Sequence, residues 1–296
     1  GSGEEIKKSI LSVSDEFEML TIRTKPHKYG YKSDYIITKD NIEQLQKIID
    51  ESDIIHFKGD EMISRNWFGL NIPETKKIII TVGGSGFRRG LDKIVCKEWH
   101  PISDYLKISN LRTTITPDLN YPEFEAIYTP HGLDIESKPY TWMERDIPII
   151  QHSPSSRDKK GTDDIILPAL QDLKKEGYKF IVELIENVSN EECEELKKNG
   201  TIFIDQISST GFYGRSAIES MQYGIPTIAY ISDLSKKQSN GFINTNCKVQ
   251  SASNVEELKK TLRVLLTEKK LIKKLSMETK DYANSKHSYY FVGNMW

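Results

Sequence analysis

Short unbroken apolar runs alternate with amphipathic stretches along most of this chain. Residues 6–13 (IKKSILSV) predict a first, fairly buried strand, followed by a polar, loop-like segment over 14–32 with Pro26 and Gly30 as breakers. Residues 34–38 (DYIIT), 53–57 (DIIHF) and 77–82 (KIIITV) predict three more strands. Between the first two of these, Ile42, Leu45, Ile48 and Ile49 recur at helical spacing behind an Asp40 or Asn41 cap, which predicts a helix over 41–51. Further strands fit 113–116 and 126–129. A second series begins after a linker rich in Pro, Tyr and charge at 137–146. It reads as strand 147–152, helix 162–176, strand 179–185 and a helix running to Lys198 from a capping box at Ser189 and Glu192. The stretch 201–231 follows, then a short strand at 249–251, helices at 254–267 and 269–283, and the aromatic tail SYYFVG.

Strands alternating with helices, each strand an apolar run, imply parallel sheets covered on both faces. At 296 residues the chain exceeds one ordinary core. The pattern therefore predicts two parallel α/β domains, 4–138 and 139–283, with a tail over 284–296 that packs back on the first. Apolar residues make up 37% and charged residues 28%, as in a soluble globular protein. A net charge of −2 argues against wholesale coating of nucleic acid or acidic membrane and leaves local basic patches open. The three cysteines, Cys96, Cys193 and Cys247, form neither a metal motif nor a disulfide framework, which favours a reducing, cytoplasmic setting. No apolar run approaches the ~20 residues of a membrane span, and no signal peptide is visible. Gly1-Ser2-Gly3 reads as an expression remnant.

The most informative chemistry lies at 201–231, TIFIDQISSTGFYGRSAIESMQYGIPTIAYI, which reads as strand, loop, helix, turn, strand. A helix start reached through glycines offers free N–H groups and a positive dipole end, which together suit phosphate. One turn on, Glu219 can accept hydrogen bonds from a sugar hydroxyl. A second loop, 155–163 (SSRDKKGTD), lies between a strand and a helix, on the sheet edge where ligands bind. There Arg157 and Lys160 suit a diphosphate and the charge that builds on it as it leaves. In the first domain, 83–90 (GGSGFRRG) follows a strand but is neither a dinucleotide fingerprint nor a P-loop. Its position would face the second domain across a cleft, where Gly84, Ser85 and Arg88 could meet the phosphates or the transferred group. His56, His131 and His152 end strands, a place more often structural than catalytic for a lone histidine such as His56. No histidine, cysteine and carboxylate spacing suggests a metal site, and no nucleophile elbow is visible.

These motifs resemble the GT-B glycosyltransferases of glycosyltransferase family 4, the "group 1" retaining enzymes. The resemblance is densest over 147–231 and thinner in the first domain, where it rests on SDIIHF, IIITVGGSGFR and IYTPHGLDIE. Lys160-Gly161 matches the family's Lys-Gly phosphate contact, GFYG its Gly-Phe-Gly turn, and ESMQYGIP its EAmAxGxP segment. The resemblance implies two Rossmann-like domains with parallel sheets facing across a cleft. It implies that Lys160 and Arg157 hold the diphosphate, Phe212, Tyr213, Gly214, Arg215 and Ser216 form the turn around it, and Glu219 holds the ribose. Ile185, Glu186, Asn187 and Val188 would meet the base. Three positions depart from the family pattern. Gly211 stands eight positions before Glu219, where the family has a first glutamate that Asp205 or Gln206 would replace; Ser155 stands at the usual arginine, with Arg157 a displaced stand-in; Gly83 stands where many members have a histidine.

The resulting expectation is a metal-independent retaining glycosyltransferase using a nucleoside-diphosphate sugar, UDP favoured over GDP. In a front-face displacement the sugar–phosphate bond breaks while the acceptor oxygen bonds to the same face, and the departing phosphate takes the acceptor proton. The acceptor stays open between a saccharide, a lipid-linked sugar and hydroxymethylated DNA. Arg88, Arg89, Lys93, Lys97 and Lys107 supply a basic surface for it. A non-catalytic sugar-nucleotide-binding subunit is the alternative from another class.

Overall fold

Parallel sheets form in each of two compact units, one comprising Gly1–His131 with Gly293–Trp296 and the other Gly132–Val292. The computed structural model describes residues 2–27, 29–58, 65–83, 102–208 and 211–296. Gly84, Ser85 and Arg88, expected near the phosphates, and Arg89, Lys93 and Lys97, expected on a basic surface, lie outside the described residues.

In the first unit, β1 (Ile22–Arg23) pairs in parallel with β2 (Tyr35–Ile36). The main sheet is all parallel, in the order β3 (Ile54–Lys58), β6 (Lys77–Val82), β7 (Leu111–Thr114) and β8 (Ile127–Tyr128). Between β3 and β6, the strands β4 (Asn66–Trp67) and β5 (Leu70–Asn71) make a tight hairpin. Phe68 and Gly69 both take positive φ, the mirror-image turn that matches strand twist. The strand expected at 6–13 is instead part of a helix, Ser2–Leu11. Ile6 and Ile10 are four apart, a helical and not a two-residue period. Glu4 and Glu5 in the first turn and Lys8 in the last complement the helix dipole. The last residues pack here too: a Cβ on Gly293 would lie 2.1 Å from the Ser9 carbonyl, and the Trp296 ring centres 5.2 Å from that of His56.

In the second unit five parallel strands run β10 (Ile181–Leu184), β9 (Ile149–His152), β11 (Ile202–Ile204), β12 (Thr227–Ala229) and β13 (Gln250–Ser251). Counted along the chain this is the order 2-1-3-4-5. Its direction of winding reverses between β9 and β11, so the chain leaves these two strands on diverging paths and opens a crevice at their carboxyl ends. The helix expected over 162–176 is split into a π-helical turn, Thr162–Ile166, and a helix, Leu167–Lys175. Pro168 has no N–H to give to the preceding turn, which accounts for the break. The helix expected to end at 283 continues as Lys269–His287, and part of the aromatic tail forms a further turn, Tyr289–Gly293. Ile150, Phe203, Ile204 and Ile228 from the sheet pack with Leu170, Leu173, Leu258 and Leu262 from the helices. Among the described residues no helix is long and apolar enough to cross a membrane.

Two histidines, His152 fully buried and His56 half-buried, tie strands together. The His56 Nε2 lies 2.6 Å from the Thr81 hydroxyl, itself 2.6 Å from that of Thr113, a polar relay across β3, β6 and β7. The His152 Nδ1 lies 2.7 Å from the Ile204 carbonyl, to which it donates, so its Nε2 accepts from the Thr162 hydroxyl at 2.8 Å. Burial pushes both down to about 4 from an ordinary 6.5. Both are neutral in the fold and are protonated more readily once unfolded. Their contribution is therefore complete above pH 6.5 and is lost as pH falls toward 4. Between pH 7.5 and 5 each histidine should remove roughly 2 kcal/mol of stability by this linkage. Urea titrations at the two pH values should show the loss, and His56→Gln or His152→Gln should reduce it by about half; an unchanged acid loss in both variants would contradict the assignment.

Candidate functional site

The loops leaving β9 and β11 meet at the crevice through main-chain and charged contacts. After β9 the chain turns through a short helix, Arg157–Lys160. Gly161 ends it at φ +68°, where a Cβ would lie 2.3 Å from the Ile207 carbonyl. The Ile207 N–H in turn donates to the Lys160 carbonyl at 3.1 Å. Only glycine permits this approach, and it brings Lys160 beside the residues after β11.

The centre of the site is Asp205, 1% exposed, at the end of β11. Lys160 Nζ donates to its Oδ1 at 2.8 Å, and the Gly214 N–H donates to its Oδ2 at 2.5 Å. Burial pushes this carboxyl up, but the Lys160 charge and hydrogen bond, with the Gly214 N–H, outweigh it and hold the group below the usual carboxylate range. A Cβ on Gly214 would lie 3.3 Å from both Asp205 Oδ2 and Lys160 Nζ, so that glycine closes the frame tightly. Arg157 reaches the other way: its guanidinium donates to Asp163, with N–O distances of 2.6–3.1 Å, and to Glu186 Oε2 at 2.9 Å. Arg157 is thus joined to the 185–188 loop after β10, where Asn187 adopts φ +58°.

Gly214 precedes the helix Arg215–Met221, which carries Arg215, Ser216 and Glu219. Glu219 is largely buried, with Oε1 2.8 Å from Arg215 Nε and Oε2 accepting from Lys197 Nζ at 2.6 Å. Lys197 is fully buried and also donates to the Ser216 hydroxyl at 2.8 Å. Sequence reasoning missed Lys197, because it ends a very polar helix, Asn190–Lys197 (NEECEELK). The available signal was its place four residues after Cys193, on a common helix face.

The expected residues fall into three groups. Arg157, Lys160, Glu186, Gly214, Arg215, Ser216 and Glu219 form one connected set around the crevice, through Asp205 and Lys197. The Phe212 and Tyr213 side chains turn inward: both are buried, their rings stack at 4.2 Å, and the Tyr213 hydroxyl meets those of Tyr282 at 2.8 Å and His287 Nε2 at 2.9 Å. Ile185 is buried as well, its N–H donating to the His152 carbonyl at 2.9 Å. Gly84, Ser85 and Arg88 lie outside the described residues. His131, in the first unit, pairs through Nδ1 with Glu5 Oε2 at 2.8 Å.

The two glycine departures have steric reasons. Gly211 sits at φ +61°, and a Cβ there would lie 2.4 Å from the Ser232 hydroxyl oxygen. A Cβ on Gly83 would lie 2.7 Å from Ile115 Cγ1. Neither suggested replacement for the missing glutamate presents an open carboxylate. Asp205 is closed inside the frame, and the Gln206 amide donates to the Phe212 carbonyl. Among the described residues, no group of three or more His, Cys, Asp or Glu side chains could hold a metal ion. The crevice instead offers three cations, Arg157, Lys160 and Arg215, each facing a carboxylate that an anionic ligand can replace or share.

No protein-family model matches the chain and no curated protein matches it by sequence. Solved structures share its fold. An alpha-glucosyltransferase in complex with UDP and a 13-mer DNA containing an A:G mismatch superposes with a TM-score of 0.63 at 10% identity, over 99% of this chain and 92% of that one. The Anabaena Alr3699/HepE protein in complex with UDP and glucose gives 0.57 at 11% identity, over 86% of this chain and 79% of its own. A glycosyltransferase from Rickettsia africae gives 0.54 at 15% identity, over 86% and 78%. The chain has the α/β, parallel-sheet GT-B fold that its sequence resemblance implied.

Proposed function

We propose that this chain is a glycosyltransferase that takes its sugar from a nucleoside-diphosphate sugar, UDP favoured over GDP, and transfers it with retention. The observation that carries the reading is the convergence of Lys160, Asp205 and Gly214 at the switch point of the second sheet, with Arg157 and Glu219 adjoining. In an open parallel sheet that crevice is where ligands bind. Lys160 and Arg157 hold the diphosphate and offset the negative charge that grows as the sugar–phosphate bond breaks. Asp205 fixes Lys160 in place beforehand, so little reorganisation accompanies the reaction. Glu219 accepts from the ribose hydroxyls, and the 185–188 loop faces the base. The departing phosphate takes the acceptor proton, so the protein needs no general base of its own for transfer. The first unit takes the acceptor, and the setting is cytoplasmic.

An acceptor in DNA is the second reading, favoured by two neighbouring structures described as alpha-glucosyltransferase in complex with DNA. Saturable binding of hydroxymethylated duplex DNA that weakens steeply with salt supports it; no binding at physiological salt removes it. A purely binding role, motivated by the missing first glutamate, is separated by donor turnover without acceptor. A transferase slowly releases free sugar from UDP-sugar, and a binder releases none.

Calorimetry with UDP tests the core of the reading. Arg157→Ala should weaken UDP about 10-fold or more with an unchanged melting temperature, because Arg157 is partly exposed and its loss strands no buried charge. Lys160→Ala should weaken UDP at least as much and also cost the fold about 3 kcal/mol, because it leaves Asp205 buried and unpaired. No UDP binding by the wild type, or none lost in either variant, contradicts the proposal. Gly211→Glu, although it restores the family residue, should lower stability by at least about 1–2 kcal/mol through its left-handed backbone alone. A more active and equally stable Gly211→Glu protein would show that the site lacks that carboxylate for another reason.

A further inference from the structure

Lys197 has an unusual environment for its side chain. It is fully buried, and its ammonium spends its donors on a single helix: Glu219 Oε2 at 2.6 Å, the Ser216 hydroxyl at 2.8 Å and the Ser216 carbonyl at 3.4 Å. The Phe203 ring of β11 lies beneath it, 5.4 Å from Nζ to the ring centre. Taking a lysine and a carboxylate out of water together gains little stability, and an apolar pair of equal volume usually does as well or better. Stability therefore does not explain the arrangement.

Geometry does. A glutamate has three rotatable side-chain bonds, and an unrestrained carboxylate would have to be ordered each time a ligand bound. Lys197 anchors Oε2 from behind, on the buried side. Oε1 is left on the side of Arg215, whose own side chain is one-quarter exposed. The carboxylate thus has one oxygen fixed by Lys197 and the other against Arg215, whose Nε is buried at the contact although the side chain as a whole is one-quarter exposed. Such a carboxylate is pre-set to accept from a vicinal diol arriving one turn beyond the helix start.

We propose that Lys197 is the positioning residue that sets Glu219 for recognition of the ribose hydroxyls of the nucleotide. This rests on the reading of the crevice as a nucleotide-sugar site. Lys197 does not touch the nucleotide. It acts through Glu219, and its effect is confined to ligands that carry the hydroxyls.

The test compares UDP with 2′,3′-dideoxy-UDP by calorimetry on the full chain. The wild type should prefer UDP by roughly 10- to 100-fold, the range expected for hydrogen bonds to a charged group. Lys197→Met should abolish most of that preference by weakening UDP, while dideoxy-UDP affinity stays within about twofold. A general structural defect would weaken both nucleotides alike. A Lys197→Met protein that keeps the wild-type preference, or weakens both equally, overturns the inference and leaves the nucleotide reading intact. A wild type that binds neither nucleotide overturns that reading, and the inference with it.

If Lys197→Met strands Glu219 and does not fold, the Lys197→Met/Glu219→Gln double variant carries no unpaired buried charge and is compared with Glu219→Gln alone. Action through Glu219 predicts the same residual preference in both. A further loss in the double variant, or a wild-type preference retained in Glu219→Gln, overturns the inference.

Discussion

A single buried carboxylate organises the second unit's crevice. Asp205 is almost wholly withdrawn from water, and a charge there is tolerable only while its partners stay in place. One partner, Lys160, comes from the loop after β9; the other, the Gly214 N–H, comes from the loop after β11. Both loops are therefore fixed relative to one another by the need to keep Asp205 satisfied. Gly214 follows from the same constraint, since a side chain there would press on Asp205 Oδ2 and Lys160 Nζ, whereas one at Gly161 would press on the Ile207 carbonyl that lets the two loops close together. Lys160, which the proposed function places at the diphosphate, is held in position by Asp205.

Around that frame the site is a set of ion pairs of graded burial. Arg157 with Asp163 and Glu186 is the most exposed, Lys160 with Asp205 is deeper, and Lys197 with Glu219 is deeper still at the lysine end. Exposed pairs exchange partners at little cost, whereas buried pairs resist it. The gradient divides the labour. On the proposed function, Arg157 is the cation that leaves its carboxylates for a diphosphate, while Asp205 and Lys197 hold their partners in place.

Much of this was legible in the sequence, for identifiable reasons. The second domain's strands are short apolar runs and read directly as strands, and Lys160, Gly214 and Glu219, singled out in the segments that follow them, lie in one set of contacts with Asp205 and Lys197. Three things could not. The strand expected at 6–13 became a helix because Ile6 and Ile10 carry a four-residue repeat that an apolar count overlooks. Phe212 and Tyr213 entered through the match of GFYG to the family's Gly-Phe-Gly turn; both side chains are buried, Phe212 stacked on Tyr213 and the Tyr213 hydroxyl against Tyr282 and His287, residues some seventy positions away. Lys197 was overlooked because its spacing from Cys193 is a faint signal on so polar a helix, and its burial comes from Ser216, Glu219 and Phe203, which the fold brings around it.

The most direct test of the account is a crystal structure of the chain grown with UDP. The diphosphate should lie against Lys160 and Arg157, with Arg157 withdrawn from Asp163, the ribose at Glu219, and Asp205 still bound to Lys160 and the Gly214 N–H. Nucleotide bound away from the β9–β11 crevice, or a diphosphate that leaves both cations untouched, would contradict it.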